Sequence, residues 1–90
     1  MDRYDEKMVA LAMSFPSLAA RSAEWGPGWD SIRFQEWKDR VRLGSGATAA
    51  AQFVWIVWYG GGFDMFHAMR LWDDKHLAAF QAYVAAPFFP

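Results

Sequence analysis

Tyr4, Met8, Leu11 and Phe15 recur at spacings of four, three and four. That periodicity lines one face of a helix and predicts an amphipathic helix from about Asp2 to Phe15. Asp2, Asp5 and Glu6 stand near its positive N-terminal end. Pro16 ends it, because the residue before a proline is pushed out of the helical region. Pro16 itself suits a first helical position, having no N–H to leave unpaired. A short helix to Trp25 is therefore expected, with Leu18, Ser22 and Trp25 on one side. The Gly-Pro-Gly at residues 26–28 breaks it. A third helix begins at a cap supplied by Asp30 or Ser31, carries Phe34, Trp37 and Val41 as its apolar stripe, and meets Gly44 where a left-handed terminator belongs. Arg40 and Arg42 fall in its last turn, where cations are favoured.

From Leu43 to Phe63 the chain has no charged residue. Three structures compete for this stretch. A membrane span needs about 20 continuous apolar residues. Here Gly44, Gly46, Ser45, Thr48 and Gln52 interrupt the run, and the apolar part proper is only Phe53 to Tyr59. A strand leading into a dinucleotide-binding loop needs Gly-x-Gly-x-x-Gly and further strands. Met65 stands where the third glycine belongs, and nothing else reads as a parallel strand. A helix from Ser45 to Tyr59 fits better. Its Ala-rich lead-in is a strong helix former, and Gly60 to Gly62 supply a positive-φ stop. Apolar nearly all round, this helix should be the central, buried one, with Trp55 and Ile56 in the core.

Two helices close the chain. Asp64 caps one running through Trp72, and Asp73 caps another from Asp74 to Ala86, ended by Pro87. Trp72 and Leu77 have the five-residue spacing of a hydrophobic staple across that second cap.

Composition narrows the functional classes. Ninety residues bound a single domain over 1–90. No cysteine is present, which removes disulfides, thiolate zinc sites and thiol nucleophiles. The mixed-charge N-terminal segment lacks the organisation of a secretory signal, so a cytoplasmic location is expected. Net charge is −1, which gives no electrostatic case for nucleic acid. The basic cluster Lys38-Asp39-Arg40-Val41-Arg42 is interrupted by Asp39 and reads as a solvated helix end. Fourteen of the nineteen charged residues precede residue 46, so the C-terminal half is the part expected to be buried or to form an interface.

Candidate chemistry is sparse. The segments at 63–69 and 72–78 share aromatic–Asp–x–x–His, with Asp64 three residues from His67 and Asp73 three from His76. Two such pairs on neighbouring helices could hold metal. Both aspartates, however, stand where a helix starts, and a cap uses its carboxylate on the backbone N–H two or three residues on. The reading is paired caps, no metal and no cofactor. Ser14, Ser17, Ser22, Ser31 and Ser45 sit at caps, turns or beside apolar runs, none in a nucleophile-elbow sequence. No enzyme is expected.

The aromatic residues carry the functional expectation. Seventeen Phe, Trp and Tyr residues occupy 90 positions, and each buries on the order of 150–250 Å². A core of this size has trouble enclosing them all. The sequence therefore predicts an all-α bundle of four to six short helices around the helix at 45–59, and a non-catalytic protein-interaction module. Its partner-binding surface is placed at Phe63, Phe66, Trp72, Phe88 and Phe89, with a second copy or another protein as partner and no membrane contact. The alternative is a binder of a small apolar ligand or metal through the same His-bearing half.

Overall fold

The computed structural model describes residues 3–90, with Arg3 described in its backbone alone; the expected contribution of Asp2 to the first helix lies outside them. Seven helices follow in order: α1 (Arg3–Ser14), α2 (Pro16–Ala19), α3 (Ser22–Trp25), α4 (Ser31–Arg40), α5 (Ser45–Tyr59), α6 (Met65–Leu71) and α7 (Asp74–Ala85). No strand occurs among the described residues. The all-α class and the central helix stand as read from the sequence, with α5 beginning and ending at the expected residues. It packs against α1, α2, α4 and α6.

The helix count exceeds the expected range because the segment from Pro16 to Trp25 is two single-turn helices. At Arg21 the N–H bonds back three residues to the Leu18 carbonyl, at 3.1 Å, and not four. That carbonyl also accepts the Trp25 indole N–H at 3.0 Å. The break thus lets Trp25 fold into the core with its only polar atom satisfied.

Gly44 is a second difference. Helix α4 ends earlier, at Arg40, because Val41 turns extended and packs its side chain against the core. Gly44 has φ −66° and stands at the N-cap of α5, so it terminates nothing. The expected positive-φ stop is real at the other end of α5, at Gly60 (φ 98°) and Gly61 (φ 112°).

Helix α5 is buried through Ala50, Ala51, Phe53 and Val54. Beyond Val54 it emerges from the bundle. Trp55 and Ile56 are half-buried, not core, and Trp55 stacks on Tyr59 at 5.4 Å at the surface. The small residues Ala50 and Ala51 allow neighbouring backbones to approach closely. The core holds two connected groups of rings. Trp25, Trp29, Phe34 and Trp37 pack around α3 and α4 at centroid separations of 5.0–5.8 Å. Phe15, Phe53, Trp72 and Phe80 pack around α5 and α7 at 5.1–6.3 Å. These are the separations at which edge-to-face and tilted aromatic pairs are favourable.

Candidate functional site

The five residues expected to form one partner surface separate into three environments. Phe66 and Phe89 are 77% and 79% exposed. Phe63 and Phe88 are half-buried at the edge of the core. Phe63 packs on Phe53 at 5.2 Å, and Phe88 on Tyr83 at 5.3 Å. Trp72 is 7% exposed and belongs to the interior. Its burial has a local cause. It follows the last residue of α6, and its indole N–H donates to the Gly46 carbonyl at the start of α5 at 3.0 Å. That bond draws the ring between Phe15, Phe63 and Phe80.

Residues the sequence reading did not single out extend the apolar surface. Nine large apolar side chains are exposed among the described residues, and seven of them lie at or beyond Tyr59. Tyr59 is 75% exposed, and Met65, Met69, Leu71 and Val84 are exposed with it. In α6 only Ala68 is buried, so Met65, Phe66 and Met69 face outward. Small inside and large outside along α6 is the reverse of an ordinary amphipathic helix, so the apolar pattern alone does not announce it.

Between α5 and α6 lies a groove of about 510 Å³. Ser45, Thr48 and Gln52 line it from α5, and Phe63, His67 and Leu71 from the other side. The two Asp–His pairs act as caps. Asp64 Oδ1 accepts the His67 backbone N–H at 2.9 Å, and Asp73 Oδ1 accepts that of His76 at 2.8 Å. His67 is exposed while His76 is buried. No group of three or more His, Asp or Glu with metal-binding geometry occurs among the described residues.

One of these pairs gains a third member that had no signature in the sequence, Ser17. His76 Nδ1 lies 2.7 Å from Asp73 Oδ1, and His76 Nε2 lies 2.7 Å from Ser17 Oγ. The bonds from the His76 backbone and ring hold the Asp73 carboxyl below its ordinary value. An ionised carboxylate only accepts, so Nδ1 carries a proton toward it. In the neutral imidazole Nε2 is then the acceptor, and the Ser17 hydroxyl donates to it. The basic cluster at the end of α4 and just beyond it carries no comparable arrangement: Lys38 pairs with the adjacent Asp39 at 2.8 Å, and Arg40 and Arg42 are exposed.

Comparison with known proteins returns no matching family model, no matching curated protein and no matching solved structure. No helix among the described residues is long and apolar enough to cross a membrane.

Proposed function

We propose that this chain is a protein-interaction module that presents the outward apolar face of its C-terminal half to another protein, whether a second copy or a different chain. The observation that supports it is the segregation of exposed large apolar residues to positions 59–89, above all Phe66, Phe89 and Tyr59. A folded protein seldom leaves a large apolar patch bare, and aromatic and Met side chains are enriched at interface cores. Interior packing is already supplied by other rings, so these side chains are free to contribute to binding. The absence of cysteine accords with a reducing, cytoplasmic setting.

The test is light scattering behind size-exclusion chromatography, comparing wild type with Phe66→Asp and Phe89→Asp. Self-association predicts a mass above that of one chain, reduced toward 10.3 kDa in the variants. A heterologous partner predicts a monomer that co-elutes with a host protein, and loses it in the same variants. Wild type and variants behaving identically, alone and in host extract, contradict the proposal.

A second reading rests on the α5–α6 groove. Its volume falls in the range of small-molecule pockets, roughly 300–1,000 Å³. It combines apolar walls with Ser45, Thr48, Gln52 and His67. Thr48→Trp fills the groove without touching Phe66 or Phe89. Loss of a bound ligand in that variant alone favours this reading over the first.

A further inference from the structure

Ser17, His76 and Asp73 form a hydrogen-bonded relay in the order required of a nucleophile, its general base and the group that orients the base. We propose that Ser17 is a histidine-activated nucleophile that takes up acyl groups from activated esters or thioesters. This goes beyond the interaction reading and uses none of the residues assigned to it.

The geometry fixes the roles. Asp73 Oδ1 both caps α7 and holds Nδ1, and the imidazole cannot rotate without losing its ring bonds to Asp73 and Ser17. His76 is buried, and the Phe15 ring stands 5.9 Å from it. Its base nitrogen is directed at Ser17 by the 2.7 Å bond, within a largely buried residue. Ser17 is half-buried and Asp73 is exposed, so the relay reaches the surface at both ends. Burying the base between two partners removes reorganisation at the moment of proton transfer.

The step balances as an acyl transfer. Ser17 Oγ attacks the carbonyl carbon while its proton passes to His76 Nε2. The tetrahedral adduct collapses, the bond to the leaving oxygen or sulfur breaks, and the leaving group takes the proton from Nε2. The products are O-acyl-Ser17 and a free phenol, alcohol or thiol, with His76 neutral again. What the cluster supplies is activation of the attacking oxygen. The acyl donor brings the stability of its own leaving group, which selects activated esters and thioesters over amides.

The same bond also ties α2 to α7, so the test reads reactivity and not stability. The chain carries four other serines, at 14, 22, 31 and 45, which serve as internal controls. Intact protein is treated with p-nitrophenyl acetate and acetylation of each serine is followed by peptide mass spectrometry. Positioned general-base catalysis is worth typically about 10²–10⁴-fold, so Ser17 should acetylate at least about 100-fold faster than Ser31 or Ser45. His76→Gln should bring it down to their rate. Asp73→Asn keeps a capping oxygen, preserves the helix start and should slow Ser17 labelling, which carries the test should His76→Gln unfold. Ser17 reacting no faster than the other serines overturns the proposal. So does fast labelling that survives both substitutions, since the reactivity would then not come from the imidazole.

Discussion

The Trp72 indole nitrogen lies 3.0 Å from the Gly46 carbonyl oxygen, joining the end of α6 to the first turn of α5 across 26 residues of sequence. The approach is close enough that a Cβ built on Gly46 would stand 3.0 Å from the Leu71 carbonyl oxygen. This junction commits Trp72 to the interior and leaves α6 to carry Met65, Phe66 and Met69 outside.

That division predicts opposite responses from two aromatic residues six positions apart. Trp72→Ala should cost about 3–5 kcal/mol, comparable to the whole stability of a small domain. Phe66→Ala should stay within about 0.5 kcal/mol, as for an exposed substitution. Urea unfolding followed by circular dichroism separates the two. Equal losses would mean that the surface and core assignments of α6 are mistaken.

Within α5 the cost should fall as the helix leaves the bundle. Phe53→Ala, at a site touching Phe15, Phe63, Phe80 and Tyr83, should destabilise by about 3–5 kcal/mol. Trp55→Ala, half-buried and stacked on exposed Tyr59, should cost about 1–2 kcal/mol. Thermal melts of the two variants give the ranking directly.

The stop after α5 is a backbone requirement. At Gly60 φ is 98° and ψ 177°, and a Cβ there would touch nothing within 4 Å. Gly60→Ala should therefore destabilise by about 1–3 kcal/mol through conformation alone, since that region is essentially reserved for glycine. Gly62→Ala, where no positive φ applies, should be near neutral. Chemical denaturation of the pair is sufficient to check this.

Acid should reveal the Asp73 cap. Its carboxyl is held below the ordinary carboxylate value, first by the backbone bond from His76 and next by the bond from the His76 ring. A depressed folded value contributes stability that is present above the unfolded value of about 3.9. That stability is lost as pH falls through the folded value. The stability difference between wild type and Asp73→Asn should thus be steady above about pH 5 and shrink as pH drops below the ordinary carboxylate range. A pH series of denaturant midpoints tests the sign; a gap that widens in acid contradicts it.

Much of the fold was legible because it is written locally. The Ala-rich lead-in and the glycines at 60–62 bracket α5, and Asp30, Asp64 and Asp73 accept the backbone bonds that caps accept. The apolar spacing of Met8, Leu11 and Phe15 matches their burial. Less visible was which rings are inside. Trp72 and Phe66 look alike in composition, and only the tertiary bond to Gly46 distinguishes them. Ser17 and His76 are 59 residues apart, so no local pattern announces their contact. Gly44 stands at a helix start and not at a helix end for a related reason. The end of α4 is set by Val41 reaching the core, a tertiary pull that overrides the glycine signal.

Site-specific photocrosslinking tests the interaction surface most directly. A benzophenone side chain is placed at position 66 in one protein and at position 32 in another. Ile32 is 68% exposed on the charged N-terminal half and provides a matched apolar control. Illumination of each protein, purified and in host extract, should give a discrete crosslinked species from position 66, as a dimer or with one partner, and none from position 32. Equal or absent crosslinking at the two positions would contradict a binding role for the C-terminal face.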